Sequence, residues 1–100
     1  MNVKVILSWN IIPGKEQDYY RFVLSEFLPA VNQMGLEVTD AWATLYGGPP
    51  QIVVGALVAS LEKARGIMAS EAWVNLTDQL QEYVTGYSAK IVNPRGAFQF

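Results

Sequence analysis

An apolar run near the middle of the chain most constrains what this sequence can fold into. Residues 52–59, IVVGALVA, contain no charged side chain and no hydroxyl, amide or ring nitrogen. Successive residues of a strand point to opposite faces of the sheet. A strand of this composition is therefore apolar on both faces, and we predict that protein covers it from both sides.

The run forms the second arm of a predicted β-hairpin over Gly35–Ser60. Its turn is predicted at residues 47–50, GGPP, because glycine supplies a positive φ and proline fixes φ near the value that turns require. The first arm alternates in polarity, as a half-buried strand does. One predicted face of that arm carries Leu36, Val38, Asp40, Trp42, Thr44 and Tyr46.

Ahead of the hairpin the sequence predicts one strand and one helix. The strand covers Val3–Asn10, where apolar and polar residues alternate. The helix covers Lys15–Leu28, in which apolar residues recur at intervals of three and four. Pro29 removes a backbone donor and clashes inside a helix, so we expect a kink or break there. A short helical turn over 30–34 then ends at Gly35.

Two helices and a fourth strand are predicted after the hairpin. Ser60 and Ser70 are favourable N-caps for helices over Leu61–Ala69 and Glu71–Thr85. Gly86 is predicted to cap the end of the second of these helices. The fourth strand then follows over residues 87–92.

The resulting order, β-α-β-β-α-β, is typical of an α+β, ferredoxin-like fold. We predict one domain over residues 1–100: a four-stranded antiparallel sheet with two helices on one face, and a C-terminal tail at 95–100. The helices leave the second face of the sheet open. Because a monomer rarely exposes so large an apolar surface, we expect a homodimer paired through this open face.

Composition excludes several function classes. The 100 residues include no cysteine and no histidine, which excludes disulfides, thiol catalysis and imidazole chemistry. The net charge is −2 and the sequence has no basic cluster, so neither nucleic acid nor a membrane surface is an expected partner. The first ten residues do not resemble a signal peptide, and no apolar run reaches membrane-spanning length. We therefore expect a cytoplasmic protein.

Four stretches carry a resemblance to a known superfamily. WNIIPGKEQDYYRFV, TDAWATLYGGPPQIV, ASEAWVNLTDQLQEYV and YSAKIV, in this order, resemble the dimeric α/β-barrel superfamily. This superfamily includes antibiotic-biosynthesis-monooxygenase-like and stress-responsive barrel proteins. The resemblance implies a dimeric α/β barrel, in which two four-stranded sheets form eight strands. It also implies a small-molecule pocket in each subunit.

The same resemblance argues against haem chemistry in this chain. Members that degrade haem or oxidise polyketides use a constellation of Asn, Trp and His. Leu7, Ile67 and Thr77 occupy the corresponding positions here, so all three depart from the pattern. The chain also lacks the histidine that serves as the usual axial ligand. We expect no cofactor and no metal, and we assign no catalytic residue.

The candidate ligand-binding residues are polar or aromatic side chains on strands and helices. They are Asn10, Asp40, Trp42, Tyr46 and Trp73. A face made only for packing would avoid a carboxylate, because burying an unpaired charge costs several kcal/mol. The presence of Asp40 beside Trp42 therefore favours a partly solvated cavity with an aromatic wall. The alternative is that Trp42 and Tyr46 pack at the dimer interface and that Trp73 fills the helix–sheet core.

Two functions remain open on the sequence alone. The first is a homodimeric α/β-barrel protein that binds a small apolar or aromatic molecule. The alternative is a cofactor-independent monooxygenase or isomerase of the antibiotic-biosynthesis-monooxygenase type.

Overall fold

The computed structural model describes residues 2–44 and 51–92, which form an antiparallel sheet with helices on one face. The sheet has four strands in the order β2-β3-β1-β4, the ferredoxin-like α+β topology that the sequence predicts. The predicted turn at 47–50 and the tail at 95–100 lie outside the described residues. In chain order, the elements are β1 (Val3–Ile11), α1 (Glu16–Phe22), a π-helical turn (Val23–Phe27), α2 (Leu28–Met34), β2 (Glu37–Thr44), β3 (Gln51–Val58), α3 (Leu61–Met68), α4 (Glu71–Leu80) and β4 (Val84–Val92).

The core lies between the sheet and the helices. Alternate residues of β1 are buried along its whole length, and strand β3 pairs with β1 so that its buried residues continue the same surface. The apolar run at residues 52–59 therefore falls in an inner strand between β2 and β1. Its opposite face carries Val53 and Leu57, which are half-buried in the single chain. The helix-facing residues of the two strands are Val3, Val5, Leu7, Trp9, Ile11, Ile52, Val54, Ala56 and Val58.

The first helical segment does not break at Pro29. It continues from Glu16 to Met34 through the π-helical turn at residues 23–27. Pro29 stands in the first turn of α2, directly after that wider turn. A proline at the start of an α-helical turn removes a donor that would have no partner there, and a π-turn adds the one residue that shifts the hydrogen-bond register. The helix consequently stays continuous, so the break that the sequence allows beside a kink does not occur.

The end of α4 differs from the sequence-based boundary. Ser60 and Ser70 do cap α3 and α4, accepting hydrogen bonds from the backbone N–H groups of Lys63 and Trp73. Helix α4, however, ends at Leu80, and β4 already begins at Val84. Gly86 is therefore a strand residue rather than a helix cap. Its φ of +64° falls where the β1–β4 register shifts by a bulge, a position that favours glycine.

A second bulge changes which residues of β2 share a face. The β2–β3 register shifts between Val38 and Asp40, so that Val38 pairs with Ala56 and Asp40 with Gly55. Because neighbouring partners on β3 point to opposite faces, Val38 faces the helices while Asp40 and Trp42 face the open side. The sequence-based expectation that Val38, Asp40 and Trp42 share one face is therefore wrong.

Two glycine substitutions should have opposite effects on stability. Gly35 ends α2 with a φ of +111°, and a Cβ there would lie 2.9 Å from Lys63 Cε. Gly35→Ala should lower the free energy of unfolding by about 1–2 kcal/mol, because an L-residue is strained at this φ. Gly66 lies within α3 with open space around its Cα, so Gly66→Ala should raise that free energy by about 0.5–1 kcal/mol. Urea unfolding monitored by circular dichroism measures both, and equal effects would contradict the assignment of Gly35 as the cap.

Candidate functional site

A cavity of about 320 Å³ opens between the first helical segment and the edge strand β2, and we call it the helix–strand pocket. The described residues that line it come from β1, from the helical segment, from β2 and from β3. They are Trp9, Tyr19, Tyr20, Val23, Leu24, Phe27, Leu28, Val38, Ala41, Trp42, Ala43, Ile52 and Val54. Among them, the only side chains that ionise are the two tyrosines. The pocket is therefore predominantly apolar, as small-molecule sites usually are.

Small residues on β2 create the space. Ala41 pairs with Val54 and Ala43 pairs with Ile52, so both alanines lie on the helix-facing side of the sheet. On the buried strands the same face carries larger side chains such as Trp9. Because an alanine side chain is a single methyl group, the helical segment and β2 do not close against each other. The β2 bulge determines which residues of β2 face the helices. It therefore places the two alanines, and with them the cavity, beneath the helical segment.

Trp9 forms the aromatic floor of the pocket. It is almost completely buried, with 1% of its surface exposed. Its ring meets Phe27 edge-on at a centroid distance of 5.8 Å, and stacks on Tyr87 at 6.4 Å. Trp9 Nε1 donates a hydrogen bond of 2.9 Å to the hydroxyl oxygen of Tyr19. The floor is therefore held in one orientation by both packing and a directional bond.

Burial raises the pKa of Tyr19 to about 12, although the hydrogen bond from Trp9 acts in the opposite direction. The hydroxyl is therefore protonated at neutral pH. The unfolded chain releases this proton near the ordinary tyrosine pKa of about 10. Since the folded pKa is the higher one, the stability contribution of Tyr19 is complete below pH 10 and is lost as the pH rises to 12.

An alkaline titration should detect this group. In the folded protein, tyrosinate absorbance should include one component that titrates near pH 12, and Tyr19→Phe should remove it. Tyr20→Phe is the matched control, because Tyr20 is the exposed neighbour in the chain. Burial also raises the pKa of Tyr87. The assignment to Tyr19 is therefore wrong if the component near pH 12 keeps its full amplitude in Tyr19→Phe.

Large apolar side chains surround the mouth of the pocket. Tyr20, Leu24 and Trp42 are 48%, 68% and 53% exposed, although each also lines the cavity. Tyr20 stands edge-on to Tyr19 with ring centroids 5.0 Å apart. A cluster of exposed apolar side chains around one opening is typical of a binding site rather than of ordinary surface.

A second cavity, of about 370 Å³, adjoins the first along the same helix. The two cavities share Leu24, Leu28 and Val38 as lining residues. The second one is more polar, because Asn32 and Glu37 also line it. The groove between helix and β2 thus runs from an apolar aromatic end to a polar end.

Among the predicted residues that the structure describes, Trp42 alone lines the helix–strand pocket. Its register places it on the open face with Asp40, so it reaches the cavity from the outer edge of β2 and not from the helix-facing side. Trp73 is buried in the helix–sheet core, with 4% of its surface exposed. Asn10 pairs with Gln51, and the register places it on the open face of the sheet with Asp40. Tyr46 lies outside the described residues. The structure therefore separates the predicted set between two faces and the core.

Asp40 has a partner on the open face. Lys4 Nζ lies 2.7 Å from its carboxylate. This hydrogen bond, assisted by one from Thr39, holds the pKa of Asp40 below its ordinary value. The pair crosses β3 at Gly55, where a Cβ would lie 2.9 Å from Lys4 Cε. The carboxylate that suggested a cavity is thus neutralised on the opposite side of the sheet from the pocket.

The residues that the sequence analysis missed are on the first helix. The three-and-four spacing of the apolar residues predicts an amphipathic helix there. In the structure they form two adjacent columns, each with a spacing of four, and both columns line the pocket. This spacing is also that of an ordinary amphipathic helix packed on a core, so it did not distinguish the pocket from the core. The columns are Tyr19, Val23 and Phe27, and Tyr20, Leu24 and Leu28.

Residues 2–44 and 51–92 contain no group of three or more acidic side chains placed to hold a metal ion. Within the same ranges, no helix has both the length and the hydropathy that crossing a bilayer requires.

Comparisons with known proteins identify a fold likeness. No protein-family model and no curated protein matches the chain. A NIPSNAP family protein from Agrobacterium tumefaciens is similar in structure, with a TM-score of 0.69 and 18% identity over 94% of this chain and 93% of that one. A NIPSNAP domain protein from Burkholderia xenovorans gives a TM-score of 0.68 at 17% identity, covering 100% and 99%.

A putative antibiotic biosynthesis monooxygenase from Nitrosomonas europaea is also similar, with a TM-score of 0.63 and 8% identity over 92% of this chain and 88% of that one. The superfamily suggested by the sequence is thus represented among the structural neighbours, beside the NIPSNAP proteins. At these identities the likeness concerns the fold. The chain has the ferredoxin-like fold of NIPSNAP and antibiotic-biosynthesis-monooxygenase-like proteins.

Proposed function

We propose that this protein binds a small, planar, apolar molecule in the helix–strand pocket. The observation that carries the proposal is an aromatic-floored cavity of about 320 Å³ whose mouth is surrounded by exposed Tyr20, Leu24 and Trp42. Filling it with an apolar ligand removes these side chains from water. The described lining offers no carboxylate, amine or guanidinium, which favours binding over acid–base catalysis.

N-phenyl-1-naphthylamine, a neutral dye that fluoresces in apolar sites, tests this proposal. The expected result is saturable binding at one site per chain. Trp42→Ala should weaken it by about tenfold or more, because one aromatic wall is lost. Val74→Ala removes an exposed apolar side chain of α4 outside the lining and should leave binding unchanged. Non-saturable fluorescence, or equal weakening by both variants, would contradict the proposal.

We further propose that two copies pair through the open face of the sheet. Ile6, Val53 and Leu57 are half-buried there in the single chain. The pairing of Lys4 with Asp40 neutralises two of the charged side chains on this face. A second copy supplies the cover that an inner strand with two apolar faces requires.

Sedimentation equilibrium should give twice the chain mass at micromolar concentration. Leu57→Asp places an unpaired carboxylate on the open face and should give a monomer. Val74→Asp introduces the same charge on the exposed side of α4 and should stay dimeric. A wild-type monomer would overturn the pairing, and so would an unchanged dimer in Leu57→Asp.

A cofactor-independent monooxygenase is the second candidate. The observation in its favour is the structural likeness to a putative antibiotic biosynthesis monooxygenase. Oxygen uptake with a neutral naphthol distinguishes the two functions. Binding without protein-dependent uptake supports the first, whereas uptake that Trp42→Ala abolishes supports the second.

A further inference from the structure

A hydrogen-bonded polar pair lies in the otherwise largely apolar wall of the helix–strand pocket. Trp9 Nε1 donates to the Tyr19 hydroxyl oxygen across 2.9 Å, and both residues line the cavity. A phenol has one proton to donate and two lone pairs that accept. The indole N–H occupies one lone pair. The Tyr19 hydroxyl donates no hydrogen bond to any of the described residues.

This arrangement leaves the hydroxyl with unused donor capacity. Tyr19 is 2% exposed, so bulk water is largely excluded from it. The phenol keeps its proton at neutral pH because burial raises its pKa to about 12. An N–H that donates to the same oxygen polarises the O–H and strengthens the bond that it donates. A ligand acceptor would therefore gain a hydrogen bond that water supplies poorly.

The lining also constrains the charge of that acceptor. No lysine or arginine is among the described lining residues. A carboxylate or phosphate would lose its hydration there without gaining a counter-ion. A neutral carbonyl oxygen carries two lone pairs and no such penalty. Stacking on aromatic walls such as Trp9 and Trp42 favours a flat ring system next to it.

We propose, building on the proposed function, that the pocket selects neutral aromatic carbonyl compounds, whose carbonyl oxygen accepts a hydrogen bond from Tyr19. Trp9 N–H then donates to the Tyr19 hydroxyl oxygen, and the Tyr19 O–H donates to the ligand carbonyl. The two hydrogen bonds therefore point in the same direction. Tyr19 acts as the specificity-determining residue, and the apolar walls supply affinity that does not depend on the carbonyl.

A matched pair of ligands isolates the carbonyl. 2-Acetylnaphthalene and 2-ethylnaphthalene have the same ring and nearly the same shape, and displacement of the dye measures the affinity of each. The ketone should bind about tenfold more tightly to the wild-type protein. Tyr19→Phe should reduce the ratio to near one while 2-ethylnaphthalene still binds. Tyr83→Phe should keep the wild-type ratio, since it removes a tyrosine hydroxyl outside the lining.

The infrared carbonyl stretch of bound 2-acetylnaphthalene tests the bond directly in the wild-type protein. It should lie at lower frequency than in hexane, and it should return toward the hexane value in Tyr19→Phe. If both ligands bind wild type equally, or the stretch is unshifted, this inference is wrong and the proposed function stands. A preference that persists unchanged in Tyr19→Phe overturns the role of Tyr19. If neither ligand binds, the proposed function fails with the inference.

Discussion

Replacing Trp9 by alanine should lower the free energy of unfolding by about 3–5 kcal/mol. Its side chain is 1% exposed and is surrounded by aromatic rings, with Phe27 edge-on and Tyr87 stacked. Deleting it removes these contacts and leaves the Tyr19 hydroxyl without its indole donor. The remaining void adds to the existing cavity, and the rigid strand below cannot collapse to fill it. Urea unfolding at several protein concentrations measures the loss.

Trp42→Ala is the matched control, because the same side chain is deleted where it is 53% exposed. Its cost should be about 1 kcal/mol, since less apolar area returns to water. A loss as large as that of Trp9→Ala, together with dissociation of the dimer, would show that Trp42 is interface packing. Trp42 would then not be an aromatic wall of the pocket.

The second large effect is on binding. Ala43→Trp places an indole on the helix-facing side of β2, in the space that the alanine leaves open. We expect the affinity for N-phenyl-1-naphthylamine to fall by about 100-fold, because the side chain competes with the ligand for one volume. Stability should change little, since Ala43 is exposed in the unliganded protein.

Ala59→Trp adds the same side chain at an exposed position outside the lining and should bind the dye normally. Ala41→Trp, two residues along the same face, should repeat the effect of Ala43→Trp. Undiminished binding by both blocked variants would place the dye somewhere other than the helix–strand pocket.

The order of elements could be predicted from the sequence because it depends on local periodicity. Alternation in β1, the doubly apolar β3 and the serine caps of α3 and α4 are each encoded in adjacent residues. Both bulges were missed, because a register shift depends on how two strands pair rather than on either strand alone. The register shift between Val38 and Asp40 is why the predicted ligand site was wrong at Asp40. It places Asp40 on the open face, opposite the pocket.

The pocket itself was missed for a related reason. Apolar residues such as Phe27 and Leu28 have the same composition whether they pack against a sheet or line a cavity. The cavity arises from the small Ala41 and Ala43 opposite them, which are distant in sequence. The Trp9–Tyr19 bond joins a strand to a helix and has no signature in the local pattern. Such contacts become visible only when the fold places the elements together.

The three tryptophans allow the most direct test of the pocket as the ligand site. Each indole N–H gives one signal in a ¹⁵N–¹H correlation spectrum, and single Trp→Phe variants assign the signals. Trp9 and Trp42 line the pocket, whereas Trp73 is buried in the core outside the lining. Titration with N-phenyl-1-naphthylamine should shift the Trp9 and Trp42 signals together, with one dissociation constant, and leave Trp73 in place. A shift of Trp73 alone, or no shift of Trp9 at saturating dye, would contradict the account.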